Sequence, residues 1–367
     1  LQIASDNEMM RATCEFFIED NLPVEDPSRK TWAEYHVKKA KEDESRFFTD
    51  SALYEYRRAL RLDPLNNKVR INYADVLLHM DYEENYLAQM EFVSQTDSSR
   101  NVSEIIETYQ AYLQDSLSNK WNVDNLLLEK KRLSLGLYPF EKNPQLLHPG
   151  SEKILCHLIE DSFTASPYFK VFTNDYCESY TQAFKQARIS MEDYFAWVSL
   201  EESDRDIAIE LLLYSGRTGN LCKSFKVYRT GNYRLANAVQ KITKDIKNEF
   251  AIRGKILKRS GDVLLLDCGK IDGVKVDDLF TVVKKNQLNT MDSEIGLTCH
   301  QNDILGYVTV TQVGEEICQG IFKTKGFYDR VNIGDEVFIA EIVEDSSEEN
   351  KAIAQKQKFS FKKTKEE

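Results

Sequence analysis

The sequence lacks the short motifs that usually mark a catalytic site. It has no His-Glu-x-x-His, no Gly-x-Ser-x-Gly and no Cys-x-x-Cys. Nor does any glycine-rich stretch end in Gly-Lys-Ser/Thr. These absences exclude a zincin site, a nucleophile elbow, a zinc knuckle and a nucleotide-binding P-loop. Histidine is scarce: His36, His79, His148, His157 and His300 are the five, and none has a second histidine at metal-ligand spacing. The seven cysteines (Cys14, Cys156, Cys177, Cys222, Cys268, Cys299 and Cys318) are odd in number and scattered. That argues against a disulfide framework and reads them as small core residues. Such usage fits a reducing compartment, or an envelope space without strong disulfide pressure. No stretch approaches the ~20 apolar residues of a membrane helix. A basic excess is also missing. The formal net charge is −12, from 48 Lys and Arg against 60 Asp and Glu. This argues against a general nucleic-acid binder and against adhesion to anionic lipid. No enzyme, cofactor or metal site is expected. The chain starts at Leu1, which reads as a mature product or a trimmed one, so an earlier signal peptide or lipid anchor stays open.

What is present is ample core material. The 367 residues are 42% hydrophobic and 11% aromatic, which predicts two or three folded domains. After an N-terminal segment (residues 1–30), residues 31–140 read as helical by periodicity. In ALYEYRRALRLDP, Ala52, Tyr56 and Ala59 share one face and Pro64 follows the helix end. Two small residues admit a neighbouring helix and the aromatic fills the gap between them. Further helices are expected at Trp32–Lys41, Lys68–Met80, Glu84–Val93, Val102–Leu117 and Val123–Leu137, with Asp50 or Ser51 capping the helix at Ser51–Leu62. The spacing leaves a long loop between Lys41 and Ser51. Pro139, Pro144 and Pro149, with Asn143 and Gly150, predict a linker over residues 141–151.

Residues 152–250 mix helix and strand. Helices are expected at Glu152–Phe163 and Glu178–Arg188, and a short strand at Phe169–Thr173. DYFAWVSLE, IAIELLLYS and LCKSFKVYR read as an antiparallel meander. A last helix places Leu235, Ala238, Val239, Ile242 and Ile246 in step. Residues 251–342 carry short strands with glycine turns, the pattern of a small β-barrel or sandwich. Residues 286–302 read as a mobile polar loop, and residues 343–367 as a disordered charged tail. GVKVDDLF (273–280) echoes VNIGDEVF (331–338), with Asp277 standing where Gly334 stands. Both read as turn-to-strand starts. SGRTGN and RTGN read as turns. The second precedes a helix, whose N-terminus offers a place for an anion. Glu201, Glu202, Asp204 and Asp206 read as a solvated turn.

About residues 33–95 resemble tetratricopeptide-type repeats, on the alanine, tyrosine, alanine, proline pattern quoted above. Residues 152–250 are similar to the envelope αβ domains of the TolB amino-terminal, curli-secretion and flagellar H-ring families. DYFAWVSLE, the hairpin to SGRTGN, and NYRLANAVQKITKDI carry that resemblance. Residues 252–342 resemble the β-domain that ends flagellar H-ring proteins, on GKILKRSGDVLLLDCGKIDGVKVDDLFTVV and VNIGDEVFIAEI. The order of modules resembles spirochaete periplasmic repeat proteins, including flagellar collar components. Only about two repeats, the long 41–51 loop and Asp277 in a glycine's place depart from these patterns.

The resulting expectation is a multidomain chain, α then α+β: repeat-like helical hairpins, a central αβ domain with an antiparallel sheet, and a small C-terminal barrel or sandwich. The resemblance implies a non-enzymatic scaffold of the bacterial cell envelope that binds other proteins, such as flagellar motor components, and forms homo- or hetero-oligomers. A ligand-binding sensor is the alternative. Tyr54, Arg57, Arg58, Arg61, Arg70 and Tyr73 are the candidate protein-binding residues, as polar and aromatic groups on the helical hairpins.

Overall fold

The computed structural model describes residues 7–97, 99–124, 128–130, 133–141, 148–166 and 168–339. It begins with helices α1 (Glu8–Asn21), α2 (Pro27–Ser45), α3 (Thr49–Leu62), α4 (Asn67–His79), α5 (Glu83–Ser94), α6 (Arg100–Tyr112) and the short α7 (Leu117–Trp121). Side chains fix several starts. Asn7 and Asn66 accept backbone N–H bonds ahead of α1 and α4, and Asp26 does so ahead of α2, which has proline at its first position. Ala52, Tyr56 and Ala59 are fully buried. The Tyr56 hydroxyl donates to Glu44 at 2.8 Å.

Three expectations need correction here. Helix α2 runs to Ser45, so only residues 46–48 join it to α3, in place of the long 41–51 loop. The turn is tight because Phe47 takes a left-handed backbone (φ 60°), the geometry usually given to glycine. Helix α3 starts at Thr49 behind Phe48, without a side-chain cap from Asp50 or Ser51. Among the described residues of Val123–Leu137 the expected helix is not seen: residues 133–139 form strand β1 (Leu133–Pro139). Its side chains are buried on both faces, so it reads as a short apolar run instead of a period-two strand. The αβ unit therefore opens at Leu133, and the boundary expected at 141–151 falls inside it. Asn143, Pro144 and the tail 343–367 lie outside the described residues.

The αβ unit continues with α8 (Ser151–Phe163), β2 (Phe169–Thr173), α9 (Tyr180–Ile189), β3 (Tyr194–Glu202), β4 (Asp206–Ser215), β5 (Leu221–Thr230) and α10 (Arg234–Glu249). The sheet order is β2-β1-β3-β4-β5. The β3–β5 meander is antiparallel as expected, while β1 runs parallel to both β2 and β3, making the sheet mixed. One face packs on α8 and α10, burying Leu235, Ala238, Val239, Ile242 and Ile246. Helix α9 packs Ala183 and Ala187 with Tyr138 and Phe195 in a separate cluster. The N-terminal segment is part of this unit, because Met9 and Ala12 of α1 join its core.

Gly216 sits where a Cβ would lie 1.8 Å from the Glu192 carbonyl oxygen. Gly216→Ala is expected to cost about 2 kcal/mol by overpacking against backbone. A urea midpoint measurement checks this, and an unchanged midpoint contradicts the packing described.

The C-terminal unit is a closed barrel in the order β11-β12-β7-β6-β13-β8. Its strands are β6 (Arg253–Ser260), β7 (Val263–Leu266), β8 (Leu279–Val283), β11 (Ile304–Val313), β12 (Cys318–Thr324) and β13 (Glu336–Phe338), and β8 pairs with β11 to complete the ring. The echoed segments share a real geometry: Asp277 (φ 70°) and Gly334 (φ 89°) are both left-handed just before a strand. Aspartate tolerates this region better than most side chains. Within residues 286–302, expected as a polar loop, β9 (Asn289–Thr290) and β10 (Leu297–Thr298) pair as a small hairpin. Its tip docks on the αβ unit: Arg217 pairs with Asp292, and the Thr218 hydroxyl donates to the Asp292 carbonyl at 2.7 Å.

Candidate functional site

Buried polar contacts hold the three units together. Between the helices and the αβ unit, Arg58 bridges Glu15 of α1 and Asp161 of α8, and Arg61 pairs with Asp161 and Glu19. His36 lies buried between Glu15 (2.8 Å) and Glu55 (2.6 Å). Burial alone would lower the His36 pKa, but the two carboxylates outweigh it and raise it. Between helices and barrel, the Glu315 carboxylate accepts from the Asn85 backbone N–H (3.0 Å) and side chain (2.8 Å), and from the Glu84 backbone N–H, at the start of α5. Burial raises its pKa to about 7 despite those bonds.

An open cleft of about 890 Å³ is lined by residues of the helices, the αβ unit and the barrel. The α2–α3 turn and α3 supply one wall, α4 and its following turn a second, and α8 and α10 a third. Ile271 and Glu316 close it from the barrel side. Phe47 and Phe48 stand at its edge, 90% and 56% exposed. A bulky side chain in left-handed backbone costs roughly 1 kcal/mol relative to glycine. Phe47→Gly is therefore expected to stabilise the chain by about 1 kcal/mol, read as a higher urea midpoint.

The structure brings together Tyr54, Arg57 and Tyr73 of the sequence-derived set, all on this cleft. The rest are corrected. Arg58 is buried and fully engaged, so it cannot meet a partner. Arg61 is held by Asp161 and Glu19. Arg70 lies over the Phe92 ring at 3.8 Å and donates to Gln89 and the Pro64 carbonyl. Tyr54 is itself largely buried, and burial drives its hydroxyl pKa up. Sequence reasoning missed Phe47, Phe48 and the lysines of α10. Lys241, Lys244 and Lys247 recur every three residues on the polar side of a strongly amphipathic helix, and that stripe was a readable signal.

The other candidates resolve as structure. The N-terminus of α10 is already filled, because the Glu8 carboxylate accepts from the N–H groups of Leu235 (2.8 Å) and Ala236 (3.3 Å). Glu202 pairs with His148, and Asp206 accepts from the Ser203 hydroxyl. All seven cysteines are free thiols. Among the described residues no His, Cys, Asp and Glu cluster has metal-binding geometry, and no helix is long and apolar enough to cross a membrane.

Residues 132–248 match a family model described as the TPASS_0648 family, second domain. That span coincides with the αβ unit from β1 to α10. No curated protein sequence matches the chain. Among solved structures, similarity reaches a PelC dodecamer from Paraburkholderia phytofirmans, a single-substitution variant, at 16% identity, over 32% of this chain and 86% of that one, with TM-score 0.24. The LpoB C-terminal domain from Salmonella enterica is 14% identical over 32% of this chain and 96% of that one, TM-score 0.22. TolB from Acinetobacter baumannii is 10% identical over 55% and 62%, TM-score 0.24. Scores this low assign neither fold nor function to this chain.

Proposed function

We propose that this chain is a non-enzymatic scaffold of the bacterial cell envelope, and a structural or assembly component of a periplasmic flagellar motor accessory ring. The observation that carries the binding part is the cleft, whose walls come from helices, αβ unit and barrel together. Such a cleft keeps its shape only while all three units stay docked, which suits a part that holds neighbours in fixed relation. Its lining offers cations and aromatic rings, without a nucleophile and base in contact, so it suits recognition more than group transfer. The envelope and collar part rests on the sequence resemblances of the repeat-like helices and the two C-terminal modules.

Cross-linking intact cells of the source organism and purifying this chain tests the reading. Recovery of ring, stator or collar proteins supports it. Recovery of cytosolic proteins alone removes the flagellar assignment. The cleft's volume also falls in the range of small-ligand sites, which keeps a sensor as the second reading. A thermal shift on adding a small metabolite, with no protein recovered by cross-linking, would favour it.

A further inference from the structure

The cleft reverses the sign of the molecule. The chain as a whole carries −12, yet five cations and two acids line the cleft: Arg57, Arg229, Lys241, Lys244 and Lys247 against Asp50 and Glu316. Both acids are already answered. Asp50 lies 3.8 Å from Lys244, and Glu316 pairs with Lys130. Arg57 makes no hydrogen bond or ion pair with any described residue, and Lys247 reaches only the Ser162 carbonyl, at 3.5 Å. Arg229 donates only to the neighbouring Tyr228 carbonyl, at 2.9 Å. Three cations thus line one recess without an ion-pair partner among the described residues, since Asp50 pairs with Lys244 and Glu316 with Lys130. The repulsion is felt: burial first, and then the Arg57 charge, lower the Lys247 pKa to about 8, with Asp50 opposing weakly. Beside them stand two exposed phenylalanines, one of them held in left-handed backbone that glycine would occupy with less strain.

We infer that the cleft binds an acidic segment of a partner protein, seating a carboxylate between Arg57 and Lys247 and an apolar side chain against Phe47 and Phe48. This rests on the scaffold reading above and names the chemistry of its partner. The segment's negative charge supplies what the recess lacks, and charge-assisted hydrogen bonds to guanidinium and ammonium fix its register. The aromatic rim supplies the area that a charge pair alone does not.

Binding is coupled to a proton. A carboxylate beside Lys247 holds its ammonium, so affinity falls as pH rises past the lysine's titration. The charged groups facing Lys247 are Arg57 and Asp50 from α3, while α8 presents only the Ser162 carbonyl and the Phe163 ring. Lys247, whose pKa is lowered to about 8, sets the alkaline limb.

The test uses the full chain and a short fluorescein-labelled peptide of Asp, Glu and Phe, read by anisotropy. A matched peptide with Asn and Gln, and inorganic phosphate as competitor, serve as controls. The acidic peptide is expected to bind, to lose about tenfold or more in affinity with Arg57→Gln or Lys247→Gln, and to lose its alkaline limb in Lys247→Gln. Both variants should unfold no earlier than the parent, because each removes uncompensated charge. Equal binding to the variants, or equal binding of the uncharged peptide, overturns the inference. Phosphate competing as well as the peptide overturns it too, by making the recess a small-anion site. If the peptide fails while envelope proteins are still recovered by cross-linking in cells, the scaffold reading stands and only the acidic partner falls.

Discussion

Arg58→Ala is expected to cost about 4 kcal/mol and to be the most damaging single change in the helical region. Arg58 is buried between the Glu15 and Asp161 carboxylates, and its removal leaves both without their shared cation. Arg61 is too exposed to take over, since it already pairs with Asp161 from the solvent side. Lysine should not rescue, because one ammonium cannot span two carboxylates as a planar fork does. The readout is the first unfolding transition in urea, with limited proteolysis reporting release of α1–α3 from α8. Glu19 offers a contrast. Its partner Arg61 is partly exposed, so Glu19→Gln should cost well under 1 kcal/mol. Similar losses at Arg58 and Glu19 would contradict the buried bridge.

Acid is expected to weaken the same joint by about 3 kcal/mol. Burial would raise the Glu15 pKa, but His36 and Arg58 outweigh it and hold the carboxyl down from 4.5 to about 2. A depressed carboxylate stabilises fully above its unfolded value and loses that contribution as pH falls through the folded one. At 1.36 kcal/mol per unit, the drop of about 2.5 units gives the figure above. His36 works in the opposite direction, as a raised imidazole. Its contribution is complete below about pH 6.5 and is lost as pH climbs through the folded value. Urea midpoints from about pH 6 to about pH 2 should fall steeply in the parent and much less in Glu15→Gln. Glu8 and Glu19 have raised pKa values, so they do not produce this limb. An acid limb unchanged in Glu15→Gln would contradict the assignment.

Much of the architecture can be read from periodicity. Ala52, Tyr56 and Ala59 lie on the face their spacing assigns, and so do the five apolar residues of α10. The meander is legible chiefly in β4, whose residues alternate strictly between buried and half-buried, and in the turns on either side of it. Strand β1 is not legible, since a short strand covered on both faces loses its alternation and blends with a helix. The short turn at 46–48 is hidden for a different reason, because phenylalanine stands where left-handed backbone predicts glycine.

The cleft is half legible. Arg57 and Tyr73 lie on helices that the sequence marks as interaction elements. Arg58, one residue on from Arg57, looks equivalent in sequence, yet it faces Glu15 and Asp161, which come from 43 and 103 residues away. No local pattern reports those partners. The lysines of α10 are visible as a stripe, but only the fold sets them opposite Arg57. The glycine-rich start of α10 does hold an anion, and that anion is the chain's own Glu8.

The most direct test of the scaffold account is a photo-cross-linker placed at position 48 of the full chain in intact cells, with position 327 on the barrel as the control site. Phe327 is as exposed as Phe47 but lies outside the cleft lining. The account predicts one dominant adduct from position 48 with an envelope or flagellar ring protein, joined through an acidic segment and weakened by Arg57→Gln. The same adducts from both positions, or only cytosolic proteins from position 48, would contradict it.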